Sequence, residues 1–337
     1  MKPKKILYIG NNLTKKTKYN STIIVLSALL VSEGYSVKIA SDKTSKLLRL
    51  LDMCYTLFIN RKKVDYVLID TFSTINFYYA LIISQLSRVF NLKYIPILHG
   101  GNLPERLNKN KHYCDLIFKN SYKNIAPSNY LKSAFEEKGY ATVFIPNVLE
   151  VEKYNFKKRH QLKPNLLWVR AFKEIYNPTL AIKVLYELKK QFPKAKLCMV
   201  GPFVDNSYKE TLKLVNKYEL VNSVEFTDVL LKEDWHKKSV DYDVFINTTN
   251  FDNTPVSVME AMALGLPVVS TNVGGLPFLI NNKVDGILVE NKNSTKMVAE
   301  ILNVLNGNYP SISEKAREKV EGFSWEFVKN KWFKLLK

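Results

Sequence analysis

Short apolar strands alternate with helical segments along the chain, and this alternation limits the possible folds more than any other feature. Strands that alternate with helices form parallel sheets, because each helix returns the chain to the same end of the sheet and covers one of its faces. The pattern predicts an α/β protein with doubly wound parallel sheets. The runs that indicate strands are residues 5–9, 37–40, 65–70, 93–98, 124–127, 143–146, 166–169, 196–200, 224–226, 244–247 and 267–270.

The order of elements in the first half of the chain recurs in the second half. Between the halves, Pro146 and Asn147 precede a charged stretch that extends to Lys163, and we interpret this stretch as a hinge. The prediction is two Rossmann-like domains that face each other across a cleft. The first covers residues 1–147, with a C-terminal helix at 324–337 that packs back on it, and the second covers 148–323.

Several polar residues and glycines directly follow predicted strands. In doubly wound folds, ligands bind outside the carboxyl ends of the strands. We therefore expect these positions to line one ligand site, although they lie far apart in the sequence. They are Gly10, His99, Arg170, Gly201 and the loop at 250–255.

The stretch 250–275 predicts a polar loop, a helix and a buried strand in succession. Pro255 suits the first helical turn, and Gly265 suits a left-handed cap after the last turn. The helix start at 254–256 would present free backbone N–H groups and a partial positive charge to an anion. Asp252 precedes this helix and Glu260 lies within it. The combination indicates a phosphorylated ligand whose hydroxyl groups need acceptors.

Positive charge is concentrated in the first half of the chain. The whole sequence has 50 Lys and Arg against 31 Asp and Glu, and residues 1–150 have 22 against 10. Such a surface can attract nucleic acid, an anionic membrane or a phosphorylated acceptor, or it can simply be a solvated, Lys-rich face. We find no RNA-binding aromatic signature or helix-turn-helix pattern, so charge alone does not choose among these readings.

The sequence favours a cytoplasmic protein. No apolar run approaches the roughly 20 residues of a membrane span, and the N-terminus lacks the apolar core and cleavage site of a signal peptide. Peripheral contact with the inner membrane face is compatible with the basic first half. Cys54, Cys114 and Cys198 are widely spaced, so we interpret them as buried thiols and predict no metal site.

Three motifs resemble those of family 4 glycosyltransferases of the GT-B type. They are Asp252-x7-Glu260 with the segment that continues to Gly275, the stretch 168–178, and the stretch 97–102. The resemblance extends over essentially the whole chain. The family usually has Glu at both ends of the seven-residue spacing, whereas this chain begins it with Asp252. The family often has Lys five residues after the Arg, and Ile175 occupies that position here.

Such enzymes transfer a sugar from a nucleotide donor to an acceptor and retain the anomeric configuration. The resemblance implies an acceptor-binding first domain, a donor-binding second domain and no metal or cofactor. It implies a UDP-sugar donor in preference to GDP- or ADP-sugar, and a glycan or lipid-diphosphate-linked acceptor in cell-surface polysaccharide synthesis. The implied catalytic residues are His99, Asp252, Arg170 and Lys173. The implied donor-binding residues are Glu260, Thr254, Pro255, Val256, Val229, Gly201, Gly10 and Asn11.

Each implied role corresponds to a physical requirement of the transfer reaction. Negative charge grows on the departing phosphate, and Arg170, Lys173 and the helix start could stabilise it. Glu260 would accept hydrogen bonds from ribose hydroxyls, and Asp252 from hydroxyls of the transferred sugar. His99 would contact the sugar or donate to the phosphate. The backbone near Val229 would meet the edge of the nucleobase, and Gly10 with Asn11 the donor phosphate or the acceptor.

Three other functions remain open from the sequence. A nucleotide-sugar epimerase would share the GT-B fold without needing an acceptor. A glycoside hydrolase could use Asp252 and Glu260 as its carboxylate pair, but it would not need a phosphate-binding helix start. A basic protein that binds nucleic acid belongs to a different class altogether. Asp241-Tyr-Asp243 resembles the metal-binding Asp-x-Asp of other glycosyltransferases, but we expect it to be structural because it begins a strand.

Overall fold

The computed structural model describes residues 4–12 and 21–337. Residues 1–3, part of the segment that bears on the signal-peptide expectation, lie outside this description. The chain divides into two compact units. Unit 1 consists of Met1–Val148 together with Trp325–Lys337, and unit 2 is Leu149–Ser324.

Unit 1 is built on a parallel sheet with helices between successive strands. Its strands are β1 (Lys5–Ile9), β2 (Ser36–Ala40), β3 (Tyr66–Thr71), β4 (Lys93–Leu98), β5 (Asn124–Ala126) and β6 (Thr142–Phe144). Its helices in this part are α1 (Thr22–Ser32), α2 (Lys46–Asn60), α3 (Asn76–Val89), α4 (Leu103–Lys109), α5 (Lys111–Phe118) and α6 (Asn129–Glu136). Within the described residues, the strand order is β2-β1-β3-β4-β5-β6. The direction of winding therefore changes between β1 and β3.

Unit 2 repeats this architecture. Its strands are β7 (Asn165–Val169), β8 (Lys196–Val200), β9 (Val224–Asp228), β10 (Val244–Asn247), β11 (Val268–Thr271) and β12 (Ile287–Val289). Its helices are α7 (Pro178–Lys189), α8 (Ser207–Lys217), α9 (Lys232–Lys238), α10 (Val256–Ala263), α11 (Leu276–Leu279), α12 (Ser294–Leu305) and α13 (Ile312–Glu321). The strand order among the described residues is β12-β11-β10-β7-β8-β9. This is the order of a Rossmann fold, and the winding changes direction between β7 and β10.

The sheets are buried on both faces, as the continuous apolar runs predict. In β1, Leu7 and Ile9 contribute to one core, while Ile6 and Tyr8 contribute to the other, and none is more than 1% exposed. The C-terminal helix α14 (Trp325–Leu335) packs Val328, Trp332 and Leu335 into the core that contains Ile6 and Tyr8. The α/β prediction of two Rossmann-like folds is confirmed.

Two local predictions were wrong. Cys54 is half-buried rather than buried, whereas Cys114 and Cys198 are buried as predicted. Pro255 does not lie in the first helical turn, because α10 begins at Val256. Pro255 is the residue before the helix and has extended backbone angles, φ −71° and ψ 113°. Proline accommodates this N-cap conformation as readily as a helical one, so its presence did not distinguish the two positions. The predicted left-handed Gly265 is confirmed, with φ +77°.

Of the helices in residues 4–12 and 21–337, none has both the length and the apolar character needed to cross a membrane.

Candidate functional site

Arg170 and Asp252 meet at the point in unit 2 where the winding changes direction. Arg170 directly follows β7, Asp252 lies in the loop after β10, and these two strands are neighbours in the sheet. Arg170 Nη2 donates a hydrogen bond to Asp252 Oδ2, and the two side chains are 13% and 16% exposed. Loops that follow such strands diverge to opposite faces and leave a crevice for ligands. The fold thus brings together two of the predicted catalytic residues.

The Arg170 guanidinium contacts Asp252 and the Tyr176 ring, but one of its N–H donors has no acceptor among the described residues. The Tyr176 ring lies against it, with 4.9 Å between Arg170 Cζ and the ring centroid. A Cβ atom at Gly201 would lie 1.9 Å from the Arg170 carbonyl oxygen, so Gly201 permits close packing beneath this backbone. Arg170 Nε is buried and has no hydrogen-bond partner among the described residues. A buried N–H donor of this kind is available to an anion.

The loop that carries Asp252 rests on the turn after β11. Gly275 N donates to Asp252 O at 2.8 Å. A Cβ atom at Gly275 would lie 1.6 Å from Asn253 O, and one at Gly274 would lie 2.1 Å from Asp252 O. Only glycine allows the two backbone segments to approach so closely. The two glycines therefore fix the position of the loop.

The start of α10 carries unpaired polar groups. Thr254 Oγ1 and Ser257 Oγ are buried and have no hydrogen-bond partners among the described residues. Neither side chain caps the helix, and its first backbone N–H groups have no intrahelical acceptors. Val256 is 42% exposed, so solvent and ligands reach this helix end. Hydroxyl and N–H groups are donors of the kind that phosphate oxygens accept from. Sequence reasoning identified Thr254, Pro255 and Val256 but missed Ser257.

Glu260 is buried within α10 and already has two partners. Its Oε1 accepts a hydrogen bond from the Tyr154 hydroxyl at 2.9 Å and lies 2.8 Å from Lys232 Nζ. The Glu260 side chain is 5% exposed, whereas that of Lys232 is 44% exposed. Burial and the Glu260 carboxylate raise the pKa of Tyr154, so this phenol remains a donor. Sequence reasoning missed both Tyr154 and Lys232.

Lys173 and Val229 have neighbours other than Arg170, Asp252 and Glu260. Lys173 is exposed, and together with stronger hydrogen bonds from Ser207 its charge lowers the pKa of Asp205. Val229 N already donates to Asp228 Oδ1 at 2.8 Å, and Val229 is 36% exposed. Among the described residues, the cation that pairs with Glu260 is Lys232, which begins α9 shortly after β9.

A second cluster lies at the change of winding in unit 1. Asp70 near the end of β3 accepts from His99 Nε2 at 2.8 Å and from the Tyr8 hydroxyl at 2.9 Å, both at Oδ1. A Cβ atom at Gly10 would lie 2.3 Å from Asp70 Oδ2, so Gly10 makes room for this carboxylate. Asn11 Oδ1 accepts from Arg49 Nη1 at 3.1 Å. Sequence reasoning missed Asp70, although a carboxylate at the end of a predicted strand was a usable signal.

The Asp-x-Asp segment has structural partners. Asp243 accepts a hydrogen bond from Lys163 N at 3.2 Å, and its Oδ1 lies 3.8 Å from Arg159 Nε. Across residues 4–12 and 21–337, no group of three or more His, Cys, Asp or Glu side chains is placed to hold a metal ion.

The sequence model of the family "Glycosyl transferases group 1" matches residues 150–321, slightly more than half of the chain. The amylovoran biosynthesis glycosyltransferase AmsK of Erwinia amylovora is 28% identical over 190 residues, which are 51% of this chain and 44% of AmsK. The chain spans less than half of the length of the first curated relatives that it matches.

Two solved structures with 16% identity share the fold. Sucrose-phosphate synthase from Thermosynechococcus elongatus superposes with a TM-score of 0.80 over 98% of both chains. Anabaena Alr3699/HepE in complex with UDP superposes with a TM-score of 0.77 over 98% of this chain and 99% of its own. The matched segment contains Arg170, Asp252 and Glu260, and both units have Rossmann-like sheets. The chain therefore belongs to the glycosyl transferases group 1 family and has the GT-B fold.

Proposed function

We propose that this chain is a retaining, metal-independent glycosyltransferase of family 4 that uses a UDP-sugar donor. The single observation that carries the proposal is the arrangement around α10. Arg170, which contacts Asp252, has a free buried N–H, and two unpaired hydroxyls and a helix start lie on the short segment that also carries the carboxylates Asp252 and Glu260. Phosphate oxygens can accept hydrogen bonds from the N–H and hydroxyl groups, and sugar hydroxyls can donate to the two carboxylates.

The leaving diphosphate would be stabilised by groups that are already in place. Departure of the diphosphate from the anomeric carbon places negative charge on a phosphate oxygen, and preorganised donors lower the energy of that state. Arg170 supplies a fixed fork of N–H groups, and Thr254 with the start of α10 supplies neutral donors. Lys232 is proposed as the additional cation, because Lys173 is exposed and acts on Asp205. We assign no metal to this chemistry.

The carboxylates have separate proposed tasks. Asp252 is held by Arg170 through one oxygen, and we propose that it orients hydroxyls of the transferred sugar. Glu260 is held by Tyr154 and Lys232 through Oε1 and would accept from the donor ribose. In unit 1, we assign acceptor binding to the cluster of Gly10, Asp70 and His99, with His99 as the group that contacts the reacting sugar.

The choice of donor and acceptor rests on relatives. HepE is described in complex with UDP, and AmsK is named for amylovoran biosynthesis. These support UDP as the nucleotide and a cell-surface polysaccharide as the product class. We further propose that the acceptor is glycan- or lipid-diphosphate-linked and that the enzyme works in the cytoplasm at the inner membrane face.

The test is a thermal-shift screen of UDP, GDP and ADP and their sugars, with EDTA and then with Mg²⁺ or Mn²⁺. A ligand that binds only the folded state raises Tm, so a selective shift identifies the base. We expect a shift with UDP in EDTA that is lost in Glu260→Ala, while Glu314→Ala, a surface carboxylate variant in unit 2, retains it. No shift with any nucleotide would overturn the proposal. A shift that requires metal would overturn metal independence.

The stereochemistry and the alternative activities need a second assay. NMR of the product formed from a UDP-α-sugar distinguishes retention from inversion. Transfer to an acceptor with an α-linkage supports the proposal, and a β-linkage contradicts it. Release of UDP with an epimerised free sugar would identify an epimerase instead.

A further inference from the structure

Helix α2 exposes an apolar face that none of the described residues of unit 1 covers. The sequence of this 15-residue helix is KLLRLLDMCYTLFIN, and its only acidic residue is Asp52. Six large apolar side chains on it are 39–66% exposed, which is unusual for so many neighbours on one helix. They are Leu47, Leu48, Leu51, Tyr55, Phe58 and Ile59.

These six residues form one continuous stripe. At about 100° per residue, they fall within a sector of roughly 120° around the helix axis. The opposite sector holds the residues of α2 that are buried against the unit: Arg49, Met53, Thr56 and Leu57. The core-facing sector thus combines apolar Met53 and Leu57 with polar Arg49 and Thr56, whereas the outward sector is wholly apolar. We call the six exposed residues the α2 stripe.

Basic residues border the α2 stripe at both ends of the helix. Lys43 and Lys46 lie at its start and Lys62 and Lys63 follow its end, and all four are exposed. Arg61 Cζ lies 3.9 Å from the centre of the Phe58 ring, so its charge sits at the edge of the apolar stripe. An apolar face bordered by cations is the pattern of a helix that lies in a membrane interface.

Unit 1 as a whole carries an excess of positive charge, like the ends of α2. Residues 1–148 and 325–337 contain 26 Lys and Arg against 10 Asp and Glu, whereas residues 149–324 contain 24 against 21. Most of the excess charge of +19 therefore belongs to unit 1. A cytoplasmic leaflet with anionic lipids has a negative surface potential that attracts such a surface.

We propose that the α2 stripe is a docking surface for an anionic lipid bilayer, with α2 lying parallel to the membrane plane. The stripe would enter the boundary between headgroups and acyl chains, and the flanking lysines would contact lipid phosphates. The helix is about 22 Å long and its other face belongs to the core of unit 1, so it docks without spanning. The link to a lipid-linked acceptor rests on the proposed function, but the α2 stripe is an independent observation.

Charge argues against a second copy of the chain as the occupant. Pairing two α2 stripes would bring together two units that each have a large positive excess, and like charges oppose such an association. An anionic bilayer can bury the apolar stripe and at the same time attract the basic residues at its border.

The experiment is co-sedimentation of the full chain with vesicles of phosphatidylglycerol and phosphatidylethanolamine, and with vesicles of phosphatidylcholine alone. Leu47→Ser/Leu51→Ser removes part of the stripe, and Val221→Ser/Val240→Ser is a matched control at exposed apolar positions of unit 2. Lys62→Gln/Lys63→Gln tests the border. Light scattering without vesicles reports the oligomeric state, and the thermal shift with UDP reports the donor site.

We expect wild type to bind the anionic vesicles and to bind phosphatidylcholine much more weakly. The partition coefficient should fall at least about tenfold in Leu47→Ser/Leu51→Ser and about fivefold for each lysine removed, while the control binds as wild type. In Tyr55→Trp, the new fluorescence should shift to the blue with anionic vesicles.

Two results would overturn the proposal. One is equal vesicle binding by wild type and the stripe variant. The other is a change of oligomeric state in the stripe variant when wild type binds no vesicles, because that would make the face an interface between copies. Loss of vesicle binding with a retained UDP shift, as in the stripe variant, separates this surface from the donor site. If wild type binds vesicles but shows no UDP shift, the proposed function fails and the docking surface stands.

Discussion

The Asp70 carboxylate lies 2.8 Å from His99 Nε2 and is itself only 8% exposed. A carboxylate can only accept here, so Nε2 of His99 carries the proton and Nδ1 is directed elsewhere. The Tyr8 hydroxyl donates to the same Asp70 oxygen, and burial raises the pKa of Tyr8 well above its usual value. Asp70 therefore fixes the orientation and the tautomer of the histidine that the sequence singled out.

Asp70→Asn should impair catalysis more than donor binding. The amide removes the charge that holds the His99 N–H, so the ring loses its defined position. We expect kcat to fall about tenfold to a hundredfold, with the KM for donor changed by less than about threefold. Steady-state kinetics as a function of pH provides the test. Tyr8→Phe, which keeps the Asp70–His99 bond, should lose less activity, and equal losses in the two variants would contradict a positioning role.

Tyr154 and Lys232 both contact Glu260, but we expect Tyr154 to contribute mainly to stability and Lys232 mainly to UDP binding. Tyr154→Phe removes a buried donor, and we expect the free energy of unfolding to fall by about 2 kcal/mol. Lys232 is 44% exposed, so water can take the place of its contact with Glu260. Lys232→Met should therefore lower the free energy of unfolding by less than about 1 kcal/mol. Lys232→Met should instead weaken UDP binding about tenfold. Urea unfolding measures the loss of stability, and calorimetric titration with UDP measures the loss of affinity. A larger loss of stability in Lys232→Met, or a larger loss of UDP affinity in Tyr154→Phe, would refute these separate roles.

Gly275→Ala should displace the loop that carries Asp252. The new Cβ would lie 1.6 Å from Asn253 O, so one backbone segment must move. We expect a loss of stability of about 2 kcal/mol or more, together with weaker UDP binding. Gly322→Ala is the matched control, because its Cβ would meet its nearest neighbour, Lys319 O, at 3.2 Å. Denaturant unfolding of both variants tests this, and similar stability of the two would be incompatible with the tight approach.

His236 should make the protein less stable in mild acid. Burial, followed by the Lys232 charge, lowers the pKa of His236 from 6.5 to about 4. Between these pH values the unfolded chain binds a proton that the folded chain does not, so this contribution is fully present above about 6.5 and declines as the pH falls towards 4.

His236→Phe isolates that contribution from the carboxylates that titrate in the same range. The ring packs against Tyr154 with 4.6 Å between centroids, and its buried Nε2 has no partner among the described residues, so phenylalanine should fit. We expect the difference in Tm between wild type and variant to change between pH 7 and pH 4.5, in favour of the variant at low pH. A difference independent of pH would show that His236 does not titrate in this window.

Local pattern predicted most of the secondary structure. Apolar runs such as 5–9 and 196–200 gave strands with the same bounds in the structure, because a strand buried on both faces needs an unbroken apolar sequence. Helix ends were less accurate. The helix-like sequence pattern from Thr179 continues to Phe192, but α7 ends at Lys189, because residues beyond a helix end can still match the helical period.

The site was predictable in its residue types but not in its contacts. Arg170, Asp252 and His99 follow strands, and in a parallel sheet that position alone directs them to the ligand end. The partners of Glu260 could not be found in this way, because Tyr154 is 106 residues distant in the chain. The roles of His99, Lys173, Val229 and the other predicted site residues remain predictions until the variants are measured.

The sequence by itself determined the alternating architecture, the glycines at 274 and 275 and the carboxylate spacing of 252 and 260, because these depend on neighbours within a few helical turns. Tertiary structure alone decided that Lys232 and Tyr154 lie beside Glu260, and that Asp70 holds His99. It also decided that the α2 stripe faces outwards, since an apolar stripe on a helix would by itself predict the side that faces the core. Such contacts follow from strand order and packing, which bring together residues that no local pattern relates.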